Sequence, residues 1–483
     1  MRFIEVALLV IGIILPFLIL NKKVQESKRL CFVFLIGIFL SHVVLEGIRW
    51  QMSSIYLIYV SDIIFLAKGY SFFSGHWLKR ITWILFSFFL LGLGYLLSTT
   101  FPVFDLPNPS GKYIVGSQYI HLVTKEDEII TQQLDDKREL MIKVWYPSKL
   151  RNENKEAYLN QGEREGFTTK YGLPSFLLKY LDNVKTNTYS KPKIAEGTFP
   201  VLIFSHGYQS NASGYYALLE EVVSRGFIVL NINHTYESVG SLFPSDEIRF
   251  YSSQYNDKNN NEEMGEMVWY ATQAFKEVST LDEKNKAINE AIKKYYAAEI
   301  THRWTRDIKS IIEEIPVWNK NSFLENHIDV TKIGAFGHSQ GGAAIGQALL
   351  DIPEIMAGIN MDGIQWGTII DTFYSKPFLH LSSDWPEDHP DFNKVIYHRR
   401  STADFYEATI INSGHSNFQD IPYMINATLI NEAGSINHDR AIQISSQLIV
   451  QFFNKYLKYD DINLLKEAEH YEELQMELHP RRK

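Results

Sequence analysis

Cysteine is nearly missing: one residue, Cys31, in a chain of 483. No internal disulfide can form, and no set of thiolates can hold zinc or an iron–sulfur centre. Such poverty in cysteine fits an exported bacterial domain. Other signatures are missing too. The 15 histidines include no HExxH pair, and no GxGxxG or phosphate-loop lysine motif occurs. Zinc-protease chemistry and nucleotide cofactors are therefore not indicated. There is no basic excess, since the net charge is −9, which excludes a broadly basic nucleic-acid binder. An apolar content of 45% excludes a disordered chain. No internal repeat is present.

Charge is scarce in one region. Residues 1–100 hold nine Lys/Arg and four Asp/Glu, a net +5, which leaves −14 for the remainder of a chain that totals −9. Four apolar runs fill this first fifth, at 3–20, 30–45, 53–67 and 81–97. A spanning helix needs about 20 mostly apolar residues, with a range of roughly 17–25. The first, second and fourth runs meet that with their flanks. The third is short and carries Asp62; it spans if Gln51, Met52 and Lys68 are included and otherwise re-enters. Four spans are expected, with three as the alternative. Lys22, Lys23, Lys28 and Arg29 follow the first run, Lys68, Lys79 and Arg80 precede the fourth, and only Arg49 lies between the second and third. The positive-inside rule puts the two basic loops in the cytoplasm and everything after Leu97 outside. A cleaved signal peptide fits poorly, because Glu5 lies within the first run and KKVQ follows it instead of small residues. His42, Glu46 and Asp62 read as boundary or helix-pairing residues, not a transport path.

Residues 99–111, rich in Pro, Ser and Thr, read as a linker to a soluble domain over 112–465. An opening hairpin is expected at 113–122 and 141–146. Unalternating apolar runs follow at 199–205, 227–232, 332–336, 357–361, 378–382 and 408–412. Such runs suit strands buried on both faces. Helical patterns separate them at 213–225, 262–275, 281–299, 303–315, 341–350 and 441–456. This is the rhythm of an α/β fold with a mostly parallel, helix-covered sheet. The span 240–325 breaks the rhythm and is read as a helical insertion over the carboxyl edge, placed to act as a lid. The charged tail 466–483 is read as a fraying surface helix.

The sharpest chemical signal is Gly337-His338-Ser339-Gln340-Gly341, directly after an apolar strand and opening a small-residue helix. In a nucleophile elbow a strained turn lifts the serine hydroxyl above the sheet, and the glycines let backbone and helix pass closely. With Cys31 in a membrane run, serine is the well-motivated nucleophile of the soluble part. The oxyanion hole would use the backbone N–H of Gln340. A second donor comes from the loop after 199–205, His206-Gly207-Tyr208-Gln209, with Tyr208 N–H favoured. The base should be a late histidine. His415, after the strand 408–412 and beside Gly414, fits best; His389 lies among prolines and acids, and His438 reads as capping or packing the last helix. Asp362 and Asp384 each follow a strand, and spacing does not decide which orients the histidine.

The soluble part resembles the platelet-activating factor acetylhydrolase family of α/β-hydrolases, the secreted and type II kind. The similarity is carried by VWYPS at 144–148, FPVLIFSHGYQSNASGYYALLEEVVSRGFIVLNINH at 199–234, GAFGHSQGGAA at 334–344, AGINMDG at 357–363 and INSGHSNFQD at 411–420. The resemblance implies an α/β-hydrolase fold and a Ser339-His415-Asp362 triad, favouring Asp362 over Asp384, with oxyanion donors at Tyr208 and Gln340. It implies hydrolysis of short-acyl (phospho)lipid or related esters through an acyl-enzyme, with no metal, cofactor or nucleic acid. The membrane runs lie outside the resemblance, and 240–325 shows little similarity. The expectation is an integral protein of a bacterial cell membrane with its catalytic domain outside the cytoplasm. An acyltransferase or peptidase with the same triad, and a non-catalytic membrane sensor or transporter with a hydrolase-like domain, are the competing readings.

Overall fold

The computed structural model describes residues 1–21, 24, 26–68, 76–133, 135–150, 154–373, 375–386, 389–398, 401–479 and 481. Lys22 and Lys23 of the first basic loop lie outside the described residues. The chain divides into two compact units. One comprises Met1–Asp105, Phe176–Val184 and Tyr423–Asn431, and the other holds the remainder.

The first unit contains α1 (Phe3–Ile19), α2 (Lys28–Leu45), α3 (Ser53–Lys68) and α4 (Trp77–Thr100). A 3-10 turn at Trp50–Met52 runs directly into α3, which supplies the length that the short third run lacked. Trp50–Lys68, Lys28–Leu45 and Trp77–Thr100 are each long and apolar enough to cross a membrane; Phe3–Ile19 is an apolar helix of 17 residues. α1 packs among the others. Tyr59 donates to the Leu8 carbonyl at 3.0 Å, and Phe17 meets Phe88 edge-on at 6.0 Å. The acid in the first run has a partner: Arg49 donates to both Glu5 carboxylate oxygens at 2.7 and 2.8 Å, and both side chains are buried. Outward faces of all four helices carry exposed Val, Leu, Ile and Phe, for example Ile13, Val33, Leu57 and Phe89. A water-soluble bundle buries such residues; this one presents them outward. Phe176–Val184 and Tyr423–Asn431 join the same unit. Trp50 Nε1 donates to the Leu177 carbonyl at 2.9 Å, and Tyr423 stacks on Phe104.

The second unit is built on one large sheet. Its strands are β1 (Ile114–Asp127), β2 (Lys137–Ser148), β3 (Lys155–Ala157), β4 (Lys185–Ser190), β5 (Phe199–Ser205), β6 (Ile228–Asn233), β9 (Ile328–His338), β10 (Ile355–Met361), β11 (Phe378–Ser383), β12 (Phe405–Ile410) and β13 (Leu474–His479); a separate hairpin is formed by β7 (Gly240–Leu242) and β8 (Ile248–Phe250). The order is β13-β12-β11-β10-β9-β5-β6-β2-β1-β4-β3. Strands β6, β5, β9, β10, β11 and β12 are mutually parallel, while β2 pairs antiparallel with β6 and β1 with β2. The central strands β5 and β6 are buried along their whole length, which is why they read as unbroken apolar runs. This is the α/β-hydrolase arrangement expected of the sequence.

Two expectations change. The charged tail is not a fraying helix: after a short helix at Leu464–Ala468, β13 pairs antiparallel with β12, Phe405 opposite His479 and Ile410 opposite Leu474. An edge strand keeps one side in water, so the alternating polar residues Gln475, Glu477 and His479 suit the position. The end of the 240–325 segment is not an appendage either. Its last helix, Tyr296–Asn321, buries Trp304, Ile308, Ile311 and Ile315 in the main core. The helices Glu262–Glu277 and Leu281–Lys294 precede it.

Candidate active site

The end of β9 and the helix Gln340–Asp351 build the elbow. Ser339 sits between them with φ 56° and ψ −123°, a left-handed conformation that a non-glycine residue holds only under strain. Neighbouring contacts enforce it. Ser339 N–H donates to the Met361 carbonyl at 2.8 Å. A Cβ at Gly337 would lie 2.5 Å from Gly341 backbone, and one at Gly341 would collide with the carbonyls of Ser205 and His206. The spacing of the motif is thus a steric requirement of turning a strand into a helix against β5.

Asp362 follows β10 with φ 55° and is buried. Its Oδ2 accepts from His415 Nδ1 at 2.6 Å and from Ser383 Oγ at 2.8 Å. Its Oδ1 accepts from Ser383 N–H and Trp385 Nε1, both at 2.8 Å. Burial acts to raise the carboxyl pKa, but the bond and charge of His415 and the Ser383 donors outweigh it and hold the group well below its ordinary value. Burial likewise acts to lower the His415 pKa, and the Asp362 hydrogen bond and charge leave it raised above 6.5. His415 remains part-exposed. Asp384 does not reach the imidazole in this way; its Oδ2 accepts from Asn412 N–H at 2.8 Å, and its own N–H donates to Ser413 O at 3.1 Å. It pins the turn that leads to His415. His389 stacks on Trp385. His438 begins the last long helix, close to Asn417.

The backbone N–H groups expected as oxyanion donors are those of Gln340 and Tyr208. Gln340 is the first residue of its helix, so its N–H has no intrahelical acceptor. Tyr208 N–H donates to nothing among the described residues. Gln340's side chain donates to Ala297 O at 3.0 Å and Thr301 Oγ1 at 2.8 Å, fixing the elbow to the core helix.

Sequence reasoning missed Tyr215 and His338. Gly207 N–H donates to Tyr215 Oη at 2.9 Å, Tyr215 Oη meets His338 Nδ1 at 3.0 Å, and His338 Nε2 meets the His415 carbonyl at 3.1 Å. Burial and the neighbouring His415 push the His338 pKa far down, so the ring is neutral. Its partners then place the proton on Nε2 and make Nδ1 the acceptor from Tyr215. One chain of bonds thus joins the 206–209 loop, the Ser339 turn and the His415 loop. Position x of GxSxG was the available signal. Tyr215→Phe should lower kcat about 5- to 30-fold by leaving Gly207 N–H without its acceptor, with KM within about twofold, in steady-state ester hydrolysis. An unchanged kcat would remove Tyr215 from this role.

A second Ser-His-Asp chain lies nearby. Ser205 Oγ meets His234 Nε2 at 2.9 Å, and His234 Nδ1 meets Asp307 Oδ2 at 2.8 Å. All three are buried, and Arg138 holds Asp307 at 2.8 and 3.0 Å. The connectivity copies a triad, but no substrate can touch Ser205, so this set is structural.

The sequence profile of the family described as platelet-activating factor acetylhydrolase, isoform II, matches residues 98–474. The platelet-activating factor acetylhydrolase of Cavia porcellus is 24% identical over 398 residues, covering 77% of this chain and 84% of that one. Its counterpart from Canis lupus familiaris is 25% identical over 378 residues, covering 73% and 77%. Among solved structures, a ferulic acid esterase from Streptomyces cinnamoneus superposes with a TM-score of 0.60 at 19% identity, covering 78% of this chain and 99% of that one.

Proposed function

The chain belongs to the platelet-activating factor acetylhydrolase, isoform II, family and is a carboxylester hydrolase, and from that premise we propose that it is a membrane-anchored serine esterase that cleaves short-acyl lipid or related esters by a Ser339-His415-Asp362 triad. The observation that carries this reading is the 2.6 Å contact of His415 Nδ1 with the buried Asp362, on loops that flank the strained Ser339 turn. His415 takes the Ser339 proton as Oγ attacks the ester carbonyl. The tetrahedral oxyanion is held by the N–H groups of Tyr208 and Gln340, each worth roughly 3 kcal/mol. His415 passes the proton to the leaving alcohol. It then activates water, which releases the acid and restores Ser339. Asp362 keeps the Nδ1 proton on His415 and stabilises the imidazolium.

The exposed apolar faces of all four N-terminal helices support anchoring in a bilayer, α1 included. Lys28, Arg29, Lys68, Lys79 and Arg80 favour the orientation in which the catalytic unit lies outside the cytoplasm. A topology reporter fused at Ser110 should read extracytoplasmic, and a cytoplasmic signal would overturn the four-span orientation.

The full chain in detergent should hydrolyse 4-nitrophenyl acetate and lose rate as the acyl chain lengthens. No activity above a Ser339→Ala control would defeat the esterase mechanism. A preference for long acyl chains would defeat the substrate class alone. The base must be neutral to act, and Asp362 raises its pKa. The acid limb of kcat/KM should therefore have its midpoint above about 6.5, activity falling as pH drops through it. A midpoint below that value would contradict the Asp362–His415 coupling.

A further inference from the structure

We infer that His398, Glu407 and His479 form a binding site for one divalent transition-metal ion of the zinc class, made of residues other than the Ser339, His415 and Asp362 set. The three residues come from separate elements: the end of the helix Phe392–His398, the strand β12 and the edge strand β13. His398 Nε2 lies 2.7 Å and His479 Nε2 lies 2.8 Å from the same oxygen, Glu407 Oε2. One potential donor atom from each residue lies within 4.8 Å of the other two.

The convergence is built by the sheet. Phe405 faces His479 in the β12–β13 register, and side chains two apart on a strand share a face. Glu407 is therefore the diagonal neighbour of His479 on that face, within reach of a long side chain. Buried Phe405 stacks against the His479 ring at 5.3 Å and 25°, which fixes its plane. The two imidazoles approach each other at 3.8 Å between centroids. Both point their Nε2 atoms inward instead of spreading into solvent.

The donor set selects the ion. Two imidazole nitrogens and one carboxylate suit zinc and its neighbours in the first transition series; calcium and magnesium want six or more oxygens. Zinc bonds of about 2.0–2.2 Å to nitrogen and oxygen require donor atoms roughly 3.3 Å apart. The present 2.7 and 2.8 Å contacts would open to that by about half an ångström. The side chains are 14%, 25% and 20% exposed, so an ion enters without unfolding and water completes a fourth position. The reaction needs no such ion. Its effect would be to clamp β13, the last strand, onto β12, whose far end leads into the His415 loop.

The test uses the full chain in detergent, carrying no polyhistidine tag and stripped with EDTA. Zn²⁺ alone is the probe. One equivalent should bind by calorimetry and by metal analysis after dialysis, with a Kd of about 1 µM or tighter. Amide exchange of residues 474–479 should slow on binding. His479→Asn and Glu407→Gln should each weaken binding at least about 100-fold and abolish the slowing, while retained esterase activity reports that the fold is intact. If one variant fails to fold, the other carries the comparison. Wild-type protein that binds no zinc at tens of micromolar, or variants that bind as wild type does, would overturn the site and leave a hydrogen-bonded clasp.

Discussion

Asp362→Asn should lower kcat by about 10⁴-fold, and Ser339→Ala by roughly 10⁴–10⁶-fold, with the fold intact in both. The serine variant removes the attacking atom and leaves only binding and the oxyanion donors. The aspartate variant is more informative, because asparagine has the same shape. Asp362 Oδ1 accepts from Ser383 N–H and Trp385 Nε1, so the asparagine carbonyl takes that side. Its NH₂ group then faces His415 Nδ1, which must become an acceptor. The imidazole proton moves to Nε2, the nitrogen that has to receive the Ser339 proton, and no base remains. Asp384→Asn separates the two strand-end acids. Asp384 contacts the backbone of the 412–413 turn, so its loss should cost about tenfold or less. Steady-state kinetics on a nitrophenyl ester decides the matter. Equal losses for the two variants would remove Asp362 from the triad.

Legibility in the sequence followed range. The elbow could be read because strand, turn and helix are contiguous and because steric crowding dictates glycine at 337 and 341. The central strands could be read because burial on both faces forces unbroken apolar composition. Spacing alone could not choose between Asp362 and Asp384, since each follows a parallel strand; the AGINMDG block of the family resemblance favoured Asp362, and the carboxylate that meets His415 is Asp362. β13 is hard to read from sequence because an edge strand with one wet side alternates polar and apolar residues over six positions, beside a stretch with helix-forming composition. Tyr215 and His338 are 123 positions apart, and no local pattern announces a bond of that span. The buried Ser205-His234-Asp307 chain carries the reverse lesson. Triad connectivity is common to structural networks, and exposure of the serine on a strained turn is what separates the two sets.

That buried network carries the largest expected effect on stability. Arg138 donates to Glu128 at 2.9 Å, to Glu237 at 3.3 Å and to both Asp307 oxygens, and Arg303 and Trp304 also donate to Glu237. All of these side chains are buried. Replacing the ion cluster wholesale by apolar residues need cost little, but removing one partner strands the rest. Arg138→Met leaves Glu128 and Asp307 without a cation, whereas Glu237 keeps Arg303, so a loss of about 3–5 kcal/mol is expected. Asp307→Asn leaves His234 without its carboxylate and takes from Arg138 the acceptor it holds at 2.8 and 3.0 Å, but Glu128 and Glu237 still pair with Arg138, so a smaller loss of about 1–3 kcal/mol is expected. The double variant should be less destabilised than the sum of the singles by about 1–3 kcal/mol. Burial acts to raise the Asp307 pKa, but Arg138 and His234 hold it well below the usual carboxylate value. Its stabilisation is therefore complete above the unfolded-state pKa near 3.8 and fades as acid protonates the folded form. Activity should fall with Arg138→Met as well, because His234 holds Ser205 and its backbone N–H donates to His206 Nε2 at 3.3 Å, beside Tyr208, the proposed oxyanion donor. Urea unfolding of the full chain in detergent measures the cycle. A single-variant loss below about 1 kcal/mol, or strict additivity in the double variant, would show that the cluster is not acting as one electrostatic unit.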